Sequence, residues 1–152
     1  MKNLEIYIHI PFCVRKCEYC DFLSFPADDD AKLRYVKGLM AEMIFYGPLM
    51  KNYQVSSVYI GGGTPSSIDE QWIAALMEGV FDCFNVLPDA EISIECNPGT
   101  LSREKLLAYR DAGINRLSIG LQSANNDELK LLGRIHTFEQ FVTNYEVARR
   151  GL

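Results

Sequence analysis

The stretch His9-Ile10-Pro11-Phe12-Cys13-Val14-Arg15-Lys16-Cys17-Glu18-Tyr19-Cys20 places three of the five cysteines within eight residues, at spacing C-x3-C-x2-C. Thiolates are soft ligands that suit iron–sulfur clusters, zinc and copper(I). A four-iron cluster normally takes four cysteines, so three of them leave one iron open to bind a substrate. Because the stretch follows an alternating, strand-like run at residues 4–10, it predicts a metal-binding loop at the end of a strand.

Zinc is the main alternative metal that these cysteines could bind. It needs four ligands, and His9 could complete a Cys3His site. Structural zinc sites usually hold their ligands as two close pairs, however, and the sequence has no second pair. A disulfide framework does not fit, because three close cysteines cannot all pair and the first residues do not resemble a secretory signal. Ligand count and spacing therefore favour a cluster, with a structural zinc-binding module as the alternative.

Size and composition are those of one globular domain. The 152 residues suffice for one hydrophobic core, with 48% hydrophobic and 23% charged residues and a formal net charge of −5. No basic cluster stands out, which argues against nucleic acid as the main partner. No apolar run has the length of a transmembrane segment. Free cysteine ligands suit a reducing compartment, so we expect a cytoplasmic protein.

Strand-like and helix-like segments alternate along the chain. Strands are predicted at residues 4–10, 55–60, 91–95 and 115–121. The predicted helix starts are Asp28–Asp30, a capping box of Ser67 and Glu70, Ser102, a short helix at 127–132, and Thr137 with Gln140. This βαβα order predicts an α/β fold with a parallel sheet and right-handed crossovers.

Each predicted strand alternates between apolar and polar residues. In the first strand Ile6, Ile8 and Ile10 share one face, whereas Tyr7 and His9 share the other. Strands that are covered on both faces are usually apolar throughout, so only one face should pack on helices. The other face should line a polar space, such as the inside of a barrel that holds a ligand.

Chemical groups gather at the C-terminal ends of the four strands, where (β/α) barrels build their active sites. The cysteine loop follows the first strand, and the run Gly61-Gly62-Gly63-Thr64-Pro65 follows the second. Glu95 ends the third strand and Gln122 ends the fourth. We interpret the glycine run as a ligand contact, and Glu95 as the acceptor of a ribose diol or of a salt bridge from Arg116 or Arg134. The candidates expected to be structural are His9, Cys83 and Cys96.

Together these motifs resemble the radical S-adenosylmethionine (radical SAM) superfamily, and within it the oxygen-independent coproporphyrinogen III oxidase family. In chain order they are residues 7–13 (YIHIPFC) with the two following cysteines, 61–66 (GGGTPS), 94–98 (IECNP), 119–123 (IGLQS) and 132–136 (LGRIH). The resemblance covers essentially the whole chain. It implies the N-terminal part of a partial (β/α)6 barrel, about four βα units with a parallel sheet. Residues 1–152 would be a radical SAM core domain that is incomplete at its C-terminus.

The resemblance also implies the cofactors. Cys13, Cys17 and Cys20 would hold a [4Fe–4S] cluster whose open iron chelates S-adenosylmethionine. One-electron reduction, from a donor such as flavodoxin or ferredoxin, would then yield a 5′-deoxyadenosyl radical. Glu95 would bind the ribose, and Gln122 and Arg134 match contacts of a second S-adenosylmethionine in the oxidase. The full set of implied cofactor-binding residues is Tyr7, Tyr19, Gly62, Gly63, Thr64, Glu95, Gln122 and Arg134.

One position departs from the oxidase pattern. The oxidase carries a further cysteine two residues after its third ligand, and this chain has Phe22 there. In this respect it resembles the HemW-like haem chaperone subgroup, which keeps both cofactor sites but binds haem without oxidase activity. The expected function is therefore that of a haem chaperone. An enzyme that decarboxylates coproporphyrinogen III is the alternative, with a porphyrinogen as partner instead of haem.

Overall fold

The four predicted strands form one parallel sheet in the computed structural model, which describes residues 1–14, 20–21 and 23–151. The strands are β1 (Lys2–Ile10), β2 (Tyr53–Gly62), β3 (Val86–Cys96) and β4 (Arg116–Ile119), and they lie in that order across the sheet. The helices are α1 (Asp29–Tyr46), α2 (Glu70–Cys83), α3 (Arg103–Asp111), α4 (Asn126–Leu131) and α5 (Phe138–Gly151). The predicted α/β class and the order of its elements are confirmed.

Side-chain caps start most helices where the sequence predicts them. Asp28 caps α1 by accepting from the Ala31 amide at 2.8 Å. Ser102 caps α3. Thr137 and Gln140 form a reciprocal capping box at α5, with hydrogen bonds of 2.9 and 3.3 Å. These side chains satisfy amides that the first helical turn leaves without a backbone partner, so each one marks a helix start.

The predicted capping box of Ser67 and Glu70 is wrong. Asp69 caps α2 instead, because its carboxylate lies just before the helix and accepts from the Gln71 amide at 2.8 Å. Residues 65–67 form a separate 3-10 turn, and the Ser67 hydroxyl donates to the Phe12 carbonyl at 3.4 Å. Ser67 therefore belongs to the loop that meets the end of β1, not to the helix.

Helices α1, α2 and α3 cover one face of the sheet. The buried core combines aliphatic residues of the strands with apolar residues of the helices: Ile8, Ile10, Val58, Ile60, Ile92 and Ile94 on the strands, and Val36, Met43, Ile73, Leu76, Met77, Val80 and Tyr109 on the helices. Each fully buried aliphatic side chain contributes about 1.5–3 kcal/mol relative to its exposed state. Within the described residues, no helix has both the length and the apolar character that crossing a membrane requires.

The opposite face of the sheet is polar, as the alternation predicts. Parallel pairing sets Tyr7 beside Tyr59, Tyr59 beside Ser93, and Ser93 beside Arg116. Tyr7 is 58% exposed although it stands in the middle of a strand whose neighbour Ile8 is buried. The sheet thus presents a row of polar and aromatic side chains on the side away from the helices.

Candidate cluster and cofactor site

The cysteine loop begins at the end of β1, and its two ends are bonded to each other. The Cys13 amide donates to the Phe25 carbonyl at 3.4 Å, and the Phe25 amide donates to the Pro11 carbonyl at 2.9 Å. Cys13 is buried, Cys20 is half-buried, and both are free cysteines. The predicted site residues Cys17 and Tyr19, and also Phe22, lie outside the described residues. The structure therefore places two of the three predicted ligands in one closed loop.

An aromatic cluster packs against the two ends of this loop. Phe12 is buried and makes edge-to-face contacts with Phe25, at a centroid distance of 5.7 Å, and with Tyr35, at 5.3 Å. The Tyr35 hydroxyl donates to the His9 carbonyl at 2.7 Å, which connects α1 to the C-terminal end of β1. Such aromatic pairs add about 0.5–1.5 kcal/mol each beyond their buried area, so both ends of the loop are held firmly.

The glycine run packs against the cysteine loop. The Gly63 amide donates to the Ile10 carbonyl at 2.8 Å, and the Thr64 amide donates to the Phe12 carbonyl at 2.7 Å. A Cβ atom at Gly62 would lie 2.8 Å from the Ile10 oxygen, and one at Gly63 would lie 2.6 Å from the Phe12 oxygen. Gly62 also has φ +119°, a conformation that side chains disfavour. The glycines therefore allow β2 to approach the cysteine loop, while their contact with a ligand stays a prediction.

Glu95 lies at the end of β3 and accepts hydrogen bonds on both carboxylate oxygens. The Tyr59 hydroxyl donates to Oε1 at 2.7 Å, and the Gly62 amide donates to Oε2 at 3.1 Å. Arg116, one of the two arginines considered as a partner, pairs with Glu91 at 3.2 Å instead. The carboxylate is thus held by a hydroxyl and an amide of β2, and sequence reasoning did not identify Tyr59 as a site residue.

His9 is a satisfied structural histidine, as expected. Its Nε2 atom lies 3.3 Å from the Leu23 carbonyl, which can only accept, so Nε2 carries the hydrogen. Its Nδ1 atom then accepts from the Tyr7 hydroxyl at 3.1 Å. Burial, and secondarily the charge of Glu95, raises the pKa of Tyr7, which keeps this hydroxyl a donor. A zinc ion bound through His9 would have to break one of these two hydrogen bonds.

A network that the sequence did not reveal joins the loops after β2 and β3. The Ser66 hydroxyl lies 2.6 Å from the Thr100 hydroxyl and accepts from the Asn97 amide at 2.9 Å. The Lys105 ammonium donates to the carbonyls of Ser66 at 2.6 Å and Ile68 at 2.9 Å. Burial lowers the pKa of Lys105. These contacts join residues more than thirty positions apart, so they fix the glycine run relative to Glu95 without any local sequence signal.

The last motif of the sequence holds the end of β4. Arg134 donates to the Gly120 carbonyl at 3.0 Å, and the buried His136 donates from Nε2 to the Leu121 carbonyl at 3.1 Å. Gln122 is exposed and adopts φ 69°, a left-handed conformation that is uncommon outside glycine. A Cβ atom at Gly120 would lie 2.9 Å from the side-chain Nε2 of Gln122 and 3.4 Å from the guanidinium nitrogen Nη2 of Arg134, so the two predicted residues flank one glycine.

The two remaining cysteines are structural, as predicted. Cys96 is buried at the end of β3, and burial raises the pKa of its thiol to about 12. Cys83 ends α2 and packs against the core, where a Cβ atom on Gly47 would meet its carbonyl oxygen at 2.7 Å. A protonated, buried thiol is a poor metal ligand and a poor nucleophile, which separates Cys96 from the cysteines of the loop.

The predicted groups thus meet along one edge of the sheet. Backbone hydrogen bonds link the cysteine loop to Gly63 and Thr64, and Cys96 to Gly120. The Gly62 amide also donates to the Glu95 carboxylate. Each Glu95 oxygen accepts one hydrogen bond within the described structure, and a carboxylate oxygen can accept two. The free thiols of Cys13 and Cys20 lie in a loop that the glycine run connects to a carboxylate with spare acceptor positions. The chemistry of these groups fits a thiolate-bound cluster and a ligand that carries hydroxyl groups.

Comparison with known proteins agrees with this geometry. The family model of the radical SAM superfamily matches residues 7–151. The chain is 42% identical over 139 residues to the heme chaperone HemW of Escherichia coli (strain K12), which covers 88% of this chain and 35% of the relative. It is 38% identical over 144 residues to the heme chaperone HemW of Bacillus subtilis (strain 168), covering 94% of this chain and 38% of that protein.

A solved structure extends the likeness to the fold. Coproporphyrinogen III oxidase (HemN) from Escherichia coli, a radical SAM enzyme, superposes with a TM-score of 0.90 at 32% identity. The superposition covers 98% of this chain and 34% of the oxidase, so the chain spans about a third of the length of its relatives. Because the family model takes in all four strand ends that carry the candidate site, the chain belongs to the radical SAM superfamily.

Proposed function

We propose that the chain is the cluster-binding and S-adenosylmethionine-binding part of a haem chaperone of the HemW type. The observation that carries this proposal is the 42% identity to the heme chaperone of Escherichia coli, compared with 32% to the oxidase of the same organism. Phe22 supports it, because it stands where the resemblance to the oxidase calls for a further cysteine. That residues 1–152 form the first part of a larger radical SAM core domain remains a prediction.

In this proposal the loop thiols of Cys13, Cys17 and Cys20 bind a [4Fe–4S] cluster. When bound, the cluster and S-adenosylmethionine together supply one-electron chemistry at the sulfonium. The chain's own residues position the ligand: the Glu95 carboxylate accepts from its ribose, and Gly62, Gly63 and Thr64 lie against its methionine part. Tyr7 and Tyr19 are the implied contacts that border that ligand, whereas Gln122 and Arg134 match contacts of a second S-adenosylmethionine in the oxidase.

The proposed partners follow from the same relatives. Haem would be the bound porphyrin, since the similar curated proteins are named heme chaperones. An electron donor such as flavodoxin or ferredoxin would reduce the cluster. We expect a cytoplasmic location, because the thiolate ligands must stay reduced before the cluster is inserted.

Coproporphyrinogen III oxidase activity is the second candidate function. The TM-score of 0.90 to that oxidase favours it, and so does the presence of Gln122 and Arg134, which match contacts of its second cofactor. One fold can host several functions, so the superposition by itself does not choose between them. The two functions differ in what happens to a porphyrinogen, which can be measured directly.

We expect the full-length protein to bind one haem per chain and to leave coproporphyrinogen III unconverted. Phe22 can neither bind a metal nor take part in thiol chemistry, so the group that distinguishes the oxidase is missing. The measurement is a haem titration beside an anaerobic incubation with S-adenosylmethionine and a reductant. Chromatography of the oxidised porphyrins then reports any decarboxylated product.

The oxidase from Escherichia coli serves as the positive control for turnover under the same conditions. Many turnovers of coproporphyrinogen III by this protein would contradict the chaperone function and support the oxidase. Failure to bind haem, with no turnover, would contradict both candidates. A Phe22→Cys variant tests the stated reason, because it introduces a thiol where the oxidase pattern has its further cysteine.

A further inference from the structure

The Tyr59 hydroxyl is an unassigned group in contact with the candidate ribose acceptor. It donates to Glu95 Oε1 at 2.7 Å, the shortest hydrogen bond that Glu95 makes in the described structure, and the Gly62 amide occupies Oε2 at 3.1 Å. Two donors on two different oxygens set both the position and the plane of a carboxylate. Each oxygen keeps one further acceptor position, so the pair of oxygens can receive two hydroxyl groups at once.

The ring of Tyr59 is itself held in place. It stacks on Tyr7, with a centroid distance of 6.1 Å and an interplanar angle of 15°. A Cβ atom at Gly61 would lie 2.8 Å from Cε1 of the ring, so the absence of a side chain there lets the ring lie against the backbone. Burial raises the pKa of Tyr59, and its hydrogen bond to Glu95 raises it further, which keeps the hydroxyl protonated as a donor.

We propose that Tyr59 is a positioning residue that holds Glu95 for recognition of a vicinal diol, and so sets the selectivity of the site for an intact ribose. This inference rests on the proposed S-adenosylmethionine site. A positioning role of Tyr59 differs from a structural role in its effect on different ligands. A tyrosine that only supports the sheet would affect every ligand equally, whereas a group that orients Glu95 should affect only ligands that carry both hydroxyls.

The test compares S-adenosylmethionine with its 2′,3′-dideoxy analogue in equilibrium binding to the cluster-reconstituted, full-length protein. A site built to bond a hydroxyl discriminates strongly against the ligand that lacks it, so the unchanged protein should prefer S-adenosylmethionine. Tyr59→Phe should weaken S-adenosylmethionine about fivefold, the size of one ordinary hydrogen bond, and leave the analogue nearly unchanged. The ratio of the two affinities should therefore fall about fivefold.

Two controls accompany the Tyr59 variant. Tyr53→Phe removes a hydroxyl from the first residue of the same strand, at the opposite end from the site, and should leave the ratio unchanged. In a Glu95→Ala background, Tyr59→Phe should have little further effect, because no side chain remains for Tyr59 to orient. The ratio is measured on one preparation, so a partly unfolded variant lowers both affinities without changing it.

Equal weakening of both ligands by Tyr59→Phe would assign Tyr59 a merely structural role and overturn the inference. An unchanged ratio with unchanged affinities would overturn it as well. In both cases the proposed function stands, because the unchanged protein still binds S-adenosylmethionine and prefers the diol. If the unchanged, reconstituted protein binds neither ligand, the proposed cofactor site fails and the inference fails with it.

Discussion

Replacing Cys13, Cys17 or Cys20 by alanine is expected to abolish the cluster, so that iron falls from about four atoms per chain to near zero. The reason is ligand count. Three thiolates already leave one iron without a protein ligand, and a second open iron leaves the cluster with too few bonds to persist through reconstitution. Iron and sulfide analysis after anaerobic reconstitution, together with the visible absorbance, measures the effect.

Cys83→Ala is the matched control for these three variants. It removes a thiol of the same chemistry, but from the end of α2, where Cys83 packs against the core. This variant should keep the iron content and the colour of the unchanged protein. Retention of a full cluster by the Cys13 variant, or its loss from the Cys83 variant, would contradict the assignment of the ligands.

Glu95→Ala is expected to weaken S-adenosylmethionine binding by roughly 1.5–3 kcal/mol, the value of a hydrogen bond to a charged group. That range corresponds to about a tenfold to 150-fold rise in Kd. The substitution removes the acceptor and also leaves the Tyr59 hydroxyl and the Gly62 amide without their shared partner. Equilibrium dialysis of the reconstituted protein measures the change, and the iron content shows whether the cluster loop is intact.

Glu91→Ala provides the control in the same strand. Glu91 lies four residues before Glu95, on the same face of β3, and its carboxylate forms an exposed ion pair with Arg116. Exposed pairs contribute little, so this variant should bind S-adenosylmethionine normally. Glu95→Gln separates charge from shape, because it keeps one carbonyl acceptor but removes the negative charge. Its affinity for S-adenosylmethionine should lie between those of Glu95→Ala and Glu91→Ala. Unchanged affinity in Glu95→Ala would make the residue structural.

The alternation of the strands predicted the fold because it has a direct physical cause. Successive side chains point to opposite faces, so Ile8 and Ile10 had to share a face from which Tyr7 and His9 were excluded. A parallel order then brought all strand ends to one edge, where the cysteine loop and Glu95 were expected and are found. The helix starts at Asp28 and Ser102 could also be predicted, because a capping side chain bonds to an amide only three residues away.

Contacts between distant residues could not be predicted in this way. Tyr59 and Glu95 are 36 residues apart, and their hydrogen bond depends on the register between β2 and β3, which shifts between Val55 and Ser57. The alternation shows that both side chains share the polar face but gives no register. At α2, Ser67 was predicted as the cap, whereas Asp69 caps the helix and the Ser67 hydroxyl donates to the carbonyl of Phe12, which is 55 positions away.

The most direct test of the account is the metal content of the unchanged protein after anaerobic reconstitution with iron and sulfide. Three loop thiolates without a fourth protein ligand predict a brown protein that holds about four iron atoms and a similar amount of sulfide per chain. Addition of S-adenosylmethionine should change the spectrum of the reduced cluster, because the ligand binds the open iron. One tightly bound zinc per chain, with no visible absorbance, would contradict the account and support the structural zinc-binding module.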